Sequence, residues 1–161
     1  MPYLVPPKPG APDAWTQAGG TQRLLGVGVV DASDDVRTAL AMPEGARVVR
    51  RSRLIISEGE PMEVATSHWP ADWAEGTALA DPKPVKGGTV RLAADLGWVA
   101  AESREDLTAV LADGENVPEA PIGAALLEIK RVMVTADGVP FEYIVMHRWN
   151  GEPQRYVLRA E

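Results

Sequence analysis

Cysteine is absent from this chain of 161 residues, which excludes disulfide bonds, thiolate metal sites and cysteine nucleophiles. Long apolar runs are absent too, since none approaches the roughly 20 residues that span a bilayer. The first residues also lack the basic and apolar regions of a signal peptide. We therefore expect a cytoplasmic protein without a membrane partner, and the length is typical of one globular domain.

Positive charge is scarce in this sequence. Lysine and arginine contribute 16 residues against 23 aspartates and glutamates, for a net charge of −7. A domain that neutralises the phosphates of duplex DNA needs the opposite balance, so this chain by itself is not expected to bind DNA. The P-loop and the G-x-S-x-G elbow are missing as well. With only two histidines, the sequence predicts no cofactor and no metal site.

Proline and glycine mark a boundary near the start of the chain. Residues 1–20 contain five prolines and three glycines, a composition that favours extended or irregular backbone. We interpret residues 1–20 as a linker or arm and residues 21–161 as the folded domain.

Residue periodicity predicts the elements of the folded domain. Strands are expected at 23–30, 47–57, 61–69, 98–111, 125–135, 140–149 and 154–159, and helices at 34–40 and 90–96. Ser33 and Thr89 are the expected N-caps of the two helices. Glu58-Gly59 and Asp137-Gly138 are expected to close two β-hairpins through two-residue turns.

The two predicted hairpins are related by a shift of 79 positions. This shift aligns Gly59 with Gly138, Pro61 with Pro140, Glu63 with Glu142 and His68 with His147. The glycine and proline matches follow from turn geometry, whereas the Glu and His matches do not. In each hairpin the His is five residues after the Glu, so the parity of a strand predicts that they lie on opposite faces.

Arginine is concentrated in the first hairpin, at Arg50, Arg51 and Arg53. A guanidinium fork matches a carboxylate or phosphate, and the helix start at Thr89 offers backbone N–H groups to the same kind of anion. These residues therefore suggest an anion pocket. The alternative is that the arginines are edge charges in cross-strand ion pairs.

The register of the hairpin decides which side chains share a face. With a two-residue turn and no irregularity, Arg51, Arg53 and His68 lie on one face and Glu63 on the other. A single bulge would reverse this assignment.

Several segments in order resemble the UTRA domain, the effector-binding domain of GntR-family regulators of the HutC type. They are GARVVRRSRLI at 45–55, EGEPMEVATSHWP at 58–70, GGTVRL at 87–92, LLEIKRV at 126–132, ADGVPFE at 136–142 and YVL at 156–158. The resemblance covers residues 20 to 159. It differs at Pro118 and Pro121, where that family usually has a helix.

The resemblance implies an α+β fold like that of chorismate lyase, with a central antiparallel sheet, flanking helices and two related hairpin halves. It also implies a homodimer that binds a small anionic metabolite and contacts DNA only through a winged helix-turn-helix domain. No segment here supplies that domain, so the chain is either an effector domain cut from a regulator or a stand-alone protein.

The same resemblance implies where the ligand binds. The candidate ligand-binding residues are Arg51, Arg53, Glu63, His68, Thr89, Glu142 and Arg148. The first hypothesis is a sensor without enzymatic activity. The alternative is a lyase acting on a carboxylate, in which a buried Glu beside the arginines is a general acid with a raised pKa. A third hypothesis is a dimerisation module with a vestigial cleft.

Overall fold

One antiparallel sheet of six strands is the centre of the structure. The computed structural model describes residues 20–150 and 153–157. The strands are β1 (Thr21–Asp31), β2 (Arg47–Ser57), β3 (Glu60–Pro70), β4 (Glu102–Leu111), β5 (Ala125–Val134) and β6 (Pro140–Arg148). The helices are α1 (Asp34–Leu40), α2 (Ala71–Ala74) and α3 (Thr89–Asp95). Within the described residues, no helix is long and apolar enough to cross a membrane.

The sheet consists of two similar halves, in the order β1-β2-β3-β6-β5-β4. Each half is an antiparallel run of three strands, and the halves meet where β3 pairs with β6. β-Branched residues such as Val48, Val49 and Ile55 favour the extended backbone and are buried against the sheet. The predicted α+β class with a central antiparallel sheet and two related hairpins is confirmed.

The turns of the two hairpins differ in length. Glu58 and Gly59 both have positive φ, at 52° and 82°, as a two-residue hairpin turn requires. In the second hairpin the Thr135 N–H donates to the Val139 carbonyl at 2.9 Å, so the loop holds the three residues 136–138. Only Gly138 in that loop has positive φ, at 82°. The prediction of a two-residue turn at Asp137-Gly138 is therefore wrong by one residue.

A β-bulge interrupts the first hairpin just before Glu63. Ile56 pairs with Pro61, but the next residue of β2, Ile55, pairs with Glu63. Met62 is therefore an extra residue with no partner on β2. Because side chains alternate along a strand, one extra residue moves every later side chain of β3 to the other face.

The bulge reverses the predicted faces. Arg51 pairs with Ser67 and Ile55 with Glu63, so Glu63 lies on the same face as Arg51 and Arg53. His68 pairs with Arg50 and lies on the opposite face. The expectation for a regular hairpin, with His68 beside Arg51 and Arg53 and with Glu63 across the sheet, is wrong.

The second hairpin repeats the bulge at the equivalent position. Val134 pairs with Pro140 and Met133 with Glu142, which leaves Phe141 as the extra residue. The unpaired residues of the two hairpins, Met62 and Phe141, are both buried. In both halves the sequence therefore runs from a proline through a buried bulge residue to a buried glutamate.

Different segments cover the two faces of the sheet. We name the face with Arg51 and Arg53 the arginine face, and the face with His68 and His147 the histidine face. Residues 71–101, here the covering segment, pack on the arginine face through clusters around Trp69 and Met133. Helix α1 and residues 112–124 pack on the histidine face.

The ends of two predicted elements differ from the structure. Gly88, with φ of 86°, is the N-cap of α3, and Thr89 is its first helical residue. This position favours glycine because the backbone enters the helix from positive φ. The predicted strand at 98–111 begins only at Glu102, since the Trp98 ring stacks between Trp73 and Phe141 instead of extending the sheet.

The predicted last strand is not present in the part of it that the structure describes. Residues 153–157 have no strand hydrogen bonds. Their side chains contact the sheet instead, where Arg148 Nη1 donates to Gln154 Oε1 at 3.2 Å and the Tyr156 hydroxyl donates to Glu105 Oε2. The predicted arm, residues 1–20, lies outside the described residues except for Gly20.

We expect Gly138→Ala to destabilise the domain by about 1 to 2 kcal/mol, because an L side chain is strained at positive φ. The matched control is Gly28→Ala in β1. Gly28 does not have positive φ, and open space surrounds the position of a Cβ at both glycines. Chemical denaturation of both variants checks this. An equal loss of stability in both would contradict the positive φ at Gly138.

Candidate functional site

Charged side chains form one layer on the arginine face, which we name the charged layer. It comprises Arg51, Arg53, Glu63, Glu105, Arg131, Glu142 and Arg148. Most of them are buried; Glu63 and Glu142 are 1% and 2% exposed. Buried ion pairs lose their hydration, and apolar residues of the same volume often stabilise a fold more. Such a layer is therefore typical of a functional site.

Two residues of this layer, Arg53 and Glu142, form a central cluster with the neighbouring Ser67. Arg53 Nη2 donates a hydrogen bond to Ser67 Oγ at 2.9 Å across the β2–β3 pair. The Ser67 hydroxyl and the charges of Arg53 and Arg131 act on the Glu142 carboxyl from the adjacent strand. The cluster combines a guanidinium, a hydroxyl and a carboxyl, which are the groups that bind oxyanions and hydroxyls.

The pKa of Glu142 is raised above its ordinary value. Burial is the largest cause, because it penalises the charged carboxylate. The charge of Arg53, the hydroxyl of Ser67 and the charge of Arg131 act in the opposite direction but do not cancel it. A carboxyl that keeps its proton can donate a hydrogen bond as well as accept one.

Glu63 and Arg148 form an ion pair at another place in the layer. Arg148 Nη2 and Nε lie 2.6 Å and 2.7 Å from Glu63 Oε2. Arg148 is six residues after Glu142 on β6, about 20 Å along a strand that rises ~3.3 Å per residue. The predicted residues Glu63 and Arg148 are thus brought together, while Glu142 belongs to the central cluster.

Arg51 is occupied by the covering segment. Its Nη1 donates to the carbonyl oxygens of Leu79 at 3.3 Å and Asp81 at 2.7 Å, and its Nη2 donates to that of Lys83 at 2.8 Å. Burial, together with the charge of Arg53, lowers the pKa of Arg51. In this structure the Arg51 guanidinium therefore holds a loop on the sheet.

Thr89 is buried at the start of α3, the helix that lies over Glu142. Val90 and Ala93 of this helix line, together with Glu142, a cavity of about 10 Å³. Such a volume holds about one water molecule. The helix therefore closes the covered side of the central cluster, and Thr89 is part of that cover.

His68 is separated from the other candidate residues by the sheet itself. Its Nδ1 lies 3.1 Å from the Tyr143 carbonyl oxygen on the histidine face. Of the seven predicted residues, Arg53 and Glu142 meet in the central cluster, Glu63 pairs with Arg148, Arg51 and Thr89 belong to the cover, and His68 faces the other way.

Sequence reasoning missed Ser67, Arg131 and Glu105. Ser67 is four residues after Glu63 and so shares its face, a relation that the predicted regular hairpin already contained. Arg131 Nε donates to Glu105 Oε1 between β5 and β4, and both side chains are 5% exposed. The strands β4 and β5 are consecutive, but the long connection 112–124 leaves their register, and so this contact, without a local sequence pattern. The described residues contain no group of three side chains suited to hold a metal ion.

Known proteins resemble this chain over most of its length. The UTRA domain family matches residues 19–152. An uncharacterised HTH-type transcriptional regulator from Streptomyces coelicolor is 32% identical over 121 residues, which is 72% of this chain and 45% of the regulator. The chain therefore spans about half the length of this curated relative.

Solved structures share the fold. The ligand-binding domain of a regulator assigned to the GntR family from Bordetella bronchiseptica superposes with a TM-score of 0.74 at 22% identity, covering 87% of this chain and 91% of that one. The effector domain of PhnF from Mycobacterium smegmatis gives 0.77 at 17% identity, covering 91% and 93%. At these identities the likeness concerns the fold alone.

We expect Glu142→Gln to remove a pH dependence of stability. Between the ordinary carboxyl pKa and the raised pKa of folded Glu142, the unfolded chain releases a proton that the folded chain keeps. Stability of the wild type relative to the variant should therefore fall as pH rises through this window, by at most about 1.4 kcal/mol per pH unit.

Urea denaturation of both proteins between pH 4 and 8 measures this difference. Glu44→Gln is the matched control, because Glu44 is exposed. A difference that is constant with pH, or that grows as pH rises, would contradict a raised pKa at Glu142.

Proposed function

This chain belongs to the UTRA domain family, and we propose that it senses a small anionic metabolite for a GntR-type transcriptional regulator of the HutC class. The central cluster carries this proposal. Arg53 and Glu142 lie beside Ser67 on the arginine face, and a guanidinium next to a hydroxyl and a carboxyl offers the donors that bind an oxyanion.

The chemistry of the cluster suits an oxyanion with attached hydroxyls. The Arg53 fork donates to a carboxylate or phosphate, and the Ser67 hydroxyl adds a further donor. A Glu142 carboxyl that keeps its proton donates to the same ligand without repelling its charge. No residue of this set requires a cofactor or a metal.

A sensor also needs an element that moves. A ligand shifts a two-state equilibrium only through its different affinity for the two states, typically by about 1 to 3 kcal/mol of coupling. The covering segment is suited to this role, because Arg51 ties residues 79–83 to the same strand that carries Arg53. A ligand bound to Arg53 is therefore two residues along β2 from Arg51, the residue that holds the covering segment on the sheet.

The wider role of the protein rests on its relatives. The curated relative is an HTH-type transcriptional regulator, and this chain spans 45% of its length. We propose that DNA is bound by a separate winged helix-turn-helix domain, with residues 1–20 as the connection. Such a regulator acts in the cytoplasm.

A lyase acting on a carboxylate is the second candidate. The raised pKa of Glu142 beside Arg53 is the feature that a general acid needs. Because the relative is a regulator, we rank this function below sensing. Conversion of chorismate to 4-hydroxybenzoate and pyruvate by the wild type, but not by Glu142→Gln, would reverse the ranking.

A thermal-shift titration tests the sensor. The probes are inorganic phosphate, glucose 6-phosphate, glutamate and chorismate. A ligand at 100 times its Kd adds about 2.7 kcal/mol of stability, which is about 5 to 10 °C for a domain of this size. We expect at least one probe to raise Tm in the wild type and not in Arg53→Ala.

The control variant is Arg104→Ala, which removes an exposed arginine from β4 and should keep the shift. Circular dichroism establishes that Arg53→Ala is folded. A Tm shift that survives in Arg53→Ala would place the ligand elsewhere, and no shift with any probe would favour a dimerisation module.

We further propose that two copies associate along β4. This outer strand exposes Leu107 and Leu111, and an open strand edge with apolar side chains pairs readily with a second copy. Sedimentation velocity should show a dimer that Leu107→Lys with Leu111→Lys converts to a monomer. Val30→Lys, on the outer strand β1, should leave the dimer intact. A dimer that survives the β4 change would exclude this interface.

A further inference from the structure

A second cleft opens on the histidine face, across the sheet from the charged layer. It has a volume of about 400 Å³, within the usual range of small-molecule sites. Its floor includes Ser52, Thr66, His68 and His147, and Arg50 and Glu119 also line it. We name it the distal cleft.

The distal cleft exists because two apolar contacts leave the sheet uncovered between them. On one side, α1 packs Val36 and Leu40 against Val48. On the other, the segment 112–124 packs Val117 against Leu54. The residues of the floor lie between these contacts, on the central strands β2, β3 and β6.

Gly26 keeps one wall of the cleft open. It pairs with Ser52 next to an irregularity in β1. A side chain at position 26 would therefore lie on the histidine face, beside Ser52. No atom lies within 4 Å of the position of a Cβ at Gly26, although the residue lines the cleft. A larger residue at this position would occupy part of the cleft without a clash at its Cβ and without changing any polar group.

The floor of the cleft offers hydrogen bonds but little charge. His68 Nδ1 lies 3.1 Å from a carbonyl oxygen, so it carries the proton and leaves Nε2 as an acceptor. The pKa of His68 is lowered by burial and, to a smaller extent, by the charge of Arg50, which keeps the ring neutral. The hydroxyls of Ser52 and Thr66 share one hydrogen bond, which leaves one of their two protons for a ligand.

Arg50 supplies the cationic group. Its side chain is exposed, and among residues 20–150 and 153–157 none forms an ion pair or hydrogen bond with its guanidinium. The other charged group that lines the cleft, Glu119, has the opposite sign. A ligand with one anionic group and several hydroxyls satisfies this arrangement, whereas a second anionic group near Glu119 would be repelled.

The geometry points to a second binding site, in the distal cleft, for a small polyhydroxylated molecule with one anionic group. Arg50 binds the anionic group, and the imidazole of His68 and the Ser52–Thr66 hydroxyl pair bind hydroxyls. A sugar acid and a sugar phosphate share this chemistry. The site goes beyond the proposed sensor function, because alternate residues of β2 face the two sites: Arg50 and Ser52 one, Arg51 and Arg53 the other.

Histidine NMR tests this proposal without knowledge of the natural ligand. The chain has only two histidines, and both line the distal cleft, so their ring signals report on this cleft. The full chain is titrated with D-gluconate, glucose 6-phosphate and inorganic phosphate. We expect saturable shifts with gluconate or glucose 6-phosphate. The pKa of His68 should then rise, because a bound anion offsets the charge of Arg50.

Four variants locate the response. Gly26→Val narrows the cleft, and Arg50→Gln removes the cation and should weaken binding by about tenfold or more. Arg104→Gln is the matched control for Arg50→Gln, since Arg104 is an exposed arginine that does not line the cleft. Arg53→Ala tests the arginine face. We expect the last two to bind like the wild type.

Each contrary result overturns the proposal. No saturable histidine shift with any probe excludes the site, and so does a response that survives in folded Gly26→Val and Arg50→Gln. Equal affinity for inorganic phosphate and glucose 6-phosphate would contradict the polyhydroxylated ligand. A response lost in Arg53→Ala would assign binding to the arginine face, where it supports only the sensor function.

Discussion

One extra residue in each hairpin determines the arrangement of the functional groups. Met62 and Phe141 occupy equivalent bulges, and each precedes a buried glutamate. Without the bulge, parity would turn Glu63 away from Arg53 and leave it on the face with Arg50. Because the bulge residues are themselves buried and apolar, the packing of the core keeps the register and thereby holds the charges on one face.

The buried charges of the charged layer contribute little to the stability of the fold, which suggests that they are present for another reason. Arg131 and Glu105 are paired in a buried setting, as are Arg148 and Glu63, and buried ion pairs add little net stability. Apolar clusters on the same face, around Ile129 and Trp69, supply the stability instead. The cost of the charged layer therefore supports the proposal that the arginine face binds a ligand.

Alternation along β2 gives the domain two chemically different faces. The arginine face has buried charge under a cover that Arg51 holds in place. The histidine face has an open cleft in which uncharged hydrogen-bonding groups are combined with Arg50 and Glu119. Each strand of the centre contributes to both, so a ligand on one face contacts the same backbone as a ligand on the other. If ligands occupy both faces and their binding is coupled, each ligand changes the affinity of the other by the same factor.

The sequence by itself determined the class of fold, the strands of both hairpins, α1, α3 and the opposite faces of Glu63 and His68, because periodicity, turn residues and parity are local. It also indicated the family through the order of its segments. Only the tertiary structure decided that Arg53 and Glu63 share a face, that Arg51 binds a loop, and that Arg131 forms an ion pair with Glu105. A bulge depends on how core residues pack, and the Arg131–Glu105 contact depends on the register of β4 and β5 across a long connection, so neither has a local sequence pattern.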